Sequence, residues 1–244
     1  MGAVLSVDSG GLRVDYAKHY ERCCKEKTTA VQRLLIDVLA RKARALGQAD
    51  HRIWSLKWVL DTYFEGKMGL RVMDCGAWDG WFLSYESPSV QQRIALDFDA
   101  HFAPELRKRG IDFVLADMET GLFPVASESL DLLAMTSTLE HLSCPEKIAS
   151  EIRRVLKPGG ITFITVPDIM KYKFHFWDDV THKRPFNRSS LRFLFETHGM
   201  ETVELSPYNH NLFIAGNLFP RPIHRFMTRF RANALMYVGR RPIS

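Results

Sequence analysis

Leu70-Arg71-Val72-Met73-Asp74-Cys75-Gly76-Ala77-Trp78-Asp79-Gly80 is the stretch whose reading decides the fold. Its largely apolar first half, residues 70–75, reads as a strand ending in a carboxylate. Gly76 and Gly80 then let the backbone turn sharply and let a ligand approach without a Cβ in the way. A single glycine-rich turn is a weak signal, because many strand-to-helix turns use one. The neighbouring segments have to decide what it serves.

Working outward, short apolar strands are expected at 93–96, 113–115, 130–135 and 161–166, alternating with helical patterns. Such alternation implies a parallel sheet covered by helices on both faces. Pro145 suits the first turn of a helix over 145–156, and Lys157-Pro158-Gly159-Gly160 reads as its end. A further helix at 189–198 precedes Gly199, and late strands are expected at 201–205 and 235–238. Upstream, Val31, Leu34, Leu35, Val38 and Leu39 recur at helical spacing, and a second helix is expected at 53–64 before the break signals Gly66 and Gly69. These two helices make residues 1–68 an N-terminal helical extension, serving as a lid or packing on the sheet. Residues 69–244 then form the α/β domain, with a basic insertion near 217–231.

With 244 residues, 46% hydrophobic and 25% charged, the chain reads as a soluble globular protein, neither disordered nor fibrous. The formal charge of +5 can assist binding to phosphates or an anionic membrane without specifying either. Cys23, Cys24, Cys75 and Cys144 lack the spacing of a structural zinc site or an extracellular disulfide framework, which favours a reducing cytoplasm. The first ten residues lack a secretory pattern and no apolar run is long enough to span a membrane, so the expected membrane contact is peripheral.

Two later acids extend the reading of the opening loop. Asp97, with Asp99 as the nearby alternative, ends the second strand where a carboxylate can accept bonds from ribose hydroxyls. Asp117 ends the third, placed for an adenine amino group, and Met118 can pack on the ring. Three strand ends thus address three parts of one nucleoside. With Leu130-Asp131-Leu132, Leu139-Glu140-His141-Leu142 and Leu156-Lys157-Pro158-Gly159-Gly160, the chain resembles the class I S-adenosylmethionine-dependent methyltransferases over about 70–199. The resemblance implies a Rossmann-like, seven-stranded, mostly parallel sheet with its last strand antiparallel. It also implies S-adenosyl-L-methionine as cofactor, held by Asp74, Gly76, Ala77, Trp78, Gly80, Asp97, Phe98, Asp117 and Met118. Trp78 is the departure: the family's first motif usually has glycine there, so the ring must point away from the methionine moiety, help form its pocket, or pack beneath the loop.

Methyl transfer from a sulfonium is an in-line displacement, and a hydroxyl acceptor benefits from a general base. Two clusters rich in proton-handling groups are candidates, Glu140-His141 and Asp178-Asp179-Val180-Thr181-His182-Lys183-Arg184-Pro185-Phe186. The second resembles an Asp-x-Thr-His-x-Arg-Pro pattern of methyltransferases acting on sugars, glycolipids or related polyols. His182 is the first choice of base, oriented by Asp179, or the two fix the loop; His141 is second, or it shapes the cofactor pocket. Glu140 and Arg184 are assigned to the acceptor, Arg184 through its planar fork to a phosphate or carboxylate, or else in an ion pair with Asp178 or Asp179. Asp178, Asp179 and His182 lack a compelling metal-binding spacing, and no metal is expected.

Ile223, Phe226, Met227 and Phe230 can share one helical face, with Arg221, Arg225 and Arg229 on another. That helix would rest on an anionic membrane or lipid-linked phosphate, or pack on the sheet or a second subunit. Nucleic acid is not favoured, and a homo-oligomer is possible. The leading reading is O-methylation of a small hydroxylated acceptor in glycan or lipopolysaccharide biosynthesis. Methylation of nitrogen or carbon, or non-catalytic cofactor binding, are the alternatives.

Overall fold

The computed structural model describes residues 5–8, 11–14, 51–208 and 232–243. The chain divides into two compact units, Met1–Gln48 and Ala49–Ser244. In the first, β1 (Leu5–Asp8) and β2 (Gly11–Val14) pair antiparallel, Leu5 opposite Val14 and Asp8 opposite Gly11. The expected helix near 31–39, Cys23, Cys24 and the basic stretch 217–231 lie outside the described residues.

The second unit begins with α1 (His51–Tyr63), which belongs to the same compact unit as the sheet. The sheet comprises β3 (Leu70–Cys75), β4 (Val90–Asp97), β5 (Asp112–Leu115), β6 (Leu130–Thr136), β7 (Leu156–Pro167), β8 (Glu201–Tyr208) and β9 (Ala234–Arg240). Their order is β5-β4-β3-β6-β7-β9-β8. Pairings from β5 through β7 are parallel, whereas β9 runs antiparallel to both neighbours, giving the expected seven-stranded α/β arrangement. Among the described residues, no helix is long and apolar enough to cross a membrane.

Strand alternation divides the core in two. Met73, Cys75, Leu133 and Met135 pack with Ile148, Ile152, Leu191 and Phe195. These last four come from α3 (Pro145–Val155) and α5 (Arg188–Thr197). Val72, Leu132 and Ala134, on the other parity, pack with Leu56 and Val59 of α1 and Leu106 of α2 (Ala103–Lys108). Asn187 and Ser190 close a reciprocal capping box that starts α5. Both strand faces are therefore covered, as their near-continuous apolar runs require.

One local expectation is revised. α3 stops at Val155, one residue before the expected end, and Lys157-Pro158-Gly159-Gly160 already lie in β7 rather than in a separate turn ahead of it. Pro158 disfavours a helical conformation at Lys157, and Gly159, at φ +76°, takes the left-handed turn that glycine permits while both glycines find backbone partners elsewhere. Gly159 N donates to Arg241 O at 2.8 Å, and Arg241 N donates to Gly160 O at 2.9 Å.

Candidate active site

The carboxyl ends of β3, β4 and β5 lie level, with Cys75 opposite Leu96 and Asp97 opposite Leu115. Gly76 N donates to Leu96 O at 2.8 Å, and Gly80 N to Ala77 O at 2.7 Å, folding the loop against β4. Gly76 has φ +73°, and a Cβ there would lie 2.4 Å from Thr138 Oγ1. A side chain is thus excluded where the loops after β3 and β6 meet. Arg109 secures the far side of the loop by donating to Asp79 O and, at 2.9 Å, to Ser84 Oγ.

Trp78 keeps the backbone that glycine ordinarily supplies, with φ +45°. Its amide donates to Asp97 Oδ2 at 2.9 Å, and Asp99 N donates to Oδ1 at 3.0 Å. The half-buried indole packs on Phe102, 6.0 Å between ring centroids. Asp97 is the better-held acid, since Asp99 contributes its amide to Asp97's carboxylate.

Asp74 is fully buried, and neither carboxylate oxygen has a hydrogen-bond partner. Burial, then the charges of Asp97 and Asp79, push its pKa well above the ordinary value. Burial also raises Asp97, against the lowering effect of backbone N–H groups of Asp99, Trp78 and Phe98. Two desolvated carboxylates at the carboxyl ends of the adjacent strands β3 and β4 form a donor set that favours a cationic ligand. Asp117 is exposed and accepts from Glu119 N at 2.9 Å, opening a short 3-10 turn at Met118–Thr120. Met118 turns into the core, 4% exposed, whereas Phe98 is 62% exposed.

The second half of the site lies after β6 and β7. A 3-10 turn, Leu139–His141, follows β6. After β7, the loop runs through α4 (Ile169–Tyr172) and a 3-10 segment, Lys173–Asp178. Its ends are clasped where Ile169 N donates to Phe186 O at 2.9 Å. Lys183 N and Arg184 N both donate to Glu140 O, at 2.8 and 2.9 Å, docking the Asp-x-Thr-His motif onto the Glu-His doublet.

Within that junction the hydrogen bonds define tautomers. Thr181 donates its hydroxyl proton to Asp179 Oδ1 at 2.7 Å, so its contact with His141 Nδ1 at 2.8 Å requires His141 to donate. His182 Nδ1 lies 2.7 Å from Phe176 O, a carbonyl that can only accept. In the neutral form of each ring, the lone pair therefore lies on Nε2. His182 stacks on Phe176 at 4.4 Å and lies 4.8 Å from the His141 ring, with Nε2 3.9 Å from Asp179 Oδ2. Burial and then the nearby His182 lower the His141 pKa, favouring its neutral form. Burial opposes ionisation of Asp179, but Thr181's hydroxyl and amide and the two histidines outweigh it and lower its pKa.

Glu140 is 1% exposed, with no hydrogen-bond partner at either carboxylate oxygen. Burial carries its pKa up to about 8; its own backbone N–H opposes the shift without the alignment of a hydrogen bond, and Asp179's charge adds to it. Arg184 donates through Nε and Nη2 to Ser143 O, at 3.1 and 3.0 Å, while Lys183 pairs with Glu119.

The structure thus brings Asp74, Gly76, Ala77, Trp78, Gly80 and Asp97 together, and separately joins Glu140, His141, Asp179 and His182. Asp178 instead pairs with His175 at 3.0 Å. The contributions of Thr138, Phe176 and Thr181 escaped the sequence reading. Only the Thr-His adjacency within the quoted motif hinted at Thr181. Contact between residues forty positions apart follows from adjacent β6 and β7, not from a local pattern.

Residues 73–164 match the family model for a methyltransferase domain. A protein of Mycolicibacterium smegmatis named as a probable S-adenosylmethionine-dependent methyltransferase is 26% identical over 140 residues, 56% of this chain and 54% of that protein. The chain spans about half or less of the length of the curated relatives it matches. Among solved structures, a chain of the complex between the Haloferax volcanii Trm112 methyltransferase activator and a methyltransferase is similar with TM-score 0.63 and 21% identity, covering 82% of this chain and 93% of that one. An S-adenosylmethionine-dependent methyltransferase from Mesorhizobium loti is similar with TM-score 0.60 and 16% identity, covering 77% and 96%.

Proposed function

We propose that this chain is an S-adenosylmethionine-dependent methyltransferase acting on a hydroxyl oxygen of a sugar, glycolipid or other small hydroxylated acceptor. The observation that carries the reading is the junction at Thr138. On one side it touches Gly76, in the loop beside the buried, cation-seeking Asp74 and Asp97. On the other it leads directly into Glu140 and His141. The unpartnered Asp74 carboxylate fits the positive charge of the cofactor's methionine end, and Asp97, anchored by two amides, fits its ribose.

Held by Asp74 and Asp97, the cofactor would supply a sulfonium-borne methyl group for transfer to the acceptor oxygen, with the sulfur as a neutral thioether leaving group. The acceptor's hydroxyl proton passes to His182 Nε2, the nitrogen left basic by the Nδ1 contact with Phe176 O. Stacking on Phe176 holds the imidazole, and Asp179, 3.9 Å from Nε2, offsets the charge it acquires. Arg184, fixed on Ser143 O, borders the acceptor side. Exposed Met170, Phe174, Trp177 and Val180 on the same loop offer an apolar surface for a lipid-linked acceptor. An N-terminal extension upstream of α1 and 217–231 as a peripheral membrane contact belong to this reading, in a cytoplasmic protein.

The test is incubation with methyl-labelled S-adenosylmethionine and fractionated cell extract, followed by mass spectrometry of labelled products. A labelled methyl ether is expected, and His182→Ala should lower turnover while preserving cofactor affinity. Label on nitrogen or carbon, or full turnover by His182→Ala, would overturn the oxygen or base assignment respectively. Calorimetric cofactor binding without transfer to any fraction would favour a non-catalytic binding protein.

A further inference from the structure

We propose that Glu140, His141 and His182 form a binding site for one divalent first-row transition-metal ion. One potential ligand atom from each of the three residues lies within 4.8 Å of the other two. A tetrahedral ion with ~2.0–2.1 Å bonds holds its donors about 3.3 Å apart, so loading contracts the cluster by roughly 1–1.5 Å.

Two independent features distinguish this group from a chance gathering of polar side chains. First, Glu140 is buried with both carboxylate oxygens lacking a partner, although ordinary buried carboxylates are hydrogen-bonded or paired. Second, both imidazoles are held from behind. His182 donates from Nδ1 to Phe176 O; His141 donates from Nδ1 to Thr181, whose hydroxyl donates to Asp179. Such outer bonds fix the tautomer in which Nε2 is a ligand and increase its basicity.

Two imidazole nitrogens and one carboxylate oxygen suit zinc, iron, cobalt or manganese better than calcium, and leave at least one coordination position open. The Glu140 and Asp179 carboxylates together balance a dication. The ion's catalytic role rests on the O-methylation reading: an acceptor hydroxyl in the open position loses its proton more readily, to bulk water, because His182's lone pair is committed to the ion. Ion binding itself does not require that reading.

The experiment uses the full chain after chelator treatment and dialysis, titrated separately with Mn2+, Co2+ and Zn2+. Expected results are one bound ion per chain and a Co2+ visible spectrum perturbed by nitrogen ligation. Glu140→Gln and His141→Ala should each weaken ion binding at least 100-fold while retaining a cooperative thermal unfolding transition, the check that each variant is folded. Thr181→Val should weaken it about 10–100-fold by removing the bond behind His141. No saturable binding of any of the three ions, or unchanged affinity in folded Glu140→Gln and His141→Ala, overturns the site. Labelled transfer unaffected by chelation overturns its catalytic role and leaves His182 as base. Stoichiometric ion binding with no transfer supports the metal site and overturns the methyltransferase reading instead.

Discussion

Trp78 shows how a motif departure can preserve its geometry. Its φ of +45° is costly for a side-chain-bearing residue, while its amide still holds Asp97. Trp78→Ala loses the contact with Phe102 and keeps the strained backbone; Trp78→Gly loses the same contact but relieves that strain. Thermal or denaturant unfolding should therefore find the glycine variant about 1 kcal/mol more stable than the alanine variant. Equal stability would remove this account of the loop. Asp74 presents the opposite problem, a strained charge in relaxed geometry. Its folded pKa is raised mainly by burial, so folding retains the proton more tightly than the unfolded chain. The resulting stabilisation is complete below the unfolded pKa near 3.8 and is lost as pH rises through the folded value. Asp74→Asn should flatten that decline, stabilise the ligand-free protein at neutral pH and weaken S-adenosylmethionine binding at least tenfold. A steeper decline in Asp74→Asn would contradict the assignment. The strand-end placement of Asp74, Gly76 and Asp97 was legible because strand and turn signals are local. Glu140's lack of partners was not, because burial and pairing depend on residues contributed by other strands.

At the element scale, helical periodicity identified α1, and its packing explains why. Leu56, Val59 and Leu60 are buried, and Ser55 Oγ meets Tyr208 OH at 3.1 Å. Leu56→Ala should cost about 2–5 kcal/mol by leaving a cavity, measurable as a lower urea midpoint with little change in slope. A loss below about 0.5 kcal/mol would mean that α1 is not integral to this core. The same local approach placed the end of α3 to within one residue but started β7 too late, at 161 instead of 156. Proline and glycine signal interruption of a helix, but do not say whether the chain turns or proceeds directly into a strand. Pairing with Arg241, more than eighty residues away, makes that choice.

At the scale of the whole molecule, among the described residues β8 pairs only with β9, which separates it from β7. A chain ending at residue 231 should consequently lose the β8 ladder as well as β9. Hydrogen exchange over 201–208 should accelerate toward unfolded-chain rates in that truncation, and persistent protection there would disprove the dependence. Overall sheet class was readable from alternating strand and helix patterns and the antiparallel last strand came through family resemblance, whereas the insertion of β9 between β7 and β8 appears only in the fold. During synthesis, β8 emerges before the strand that must sit beside it has been translated. The nascent sheet therefore passes through a state with two unmatched borders, at β7 and β8, where a chaperone or a neighbouring nascent chain can compete with β9 for backbone pairing.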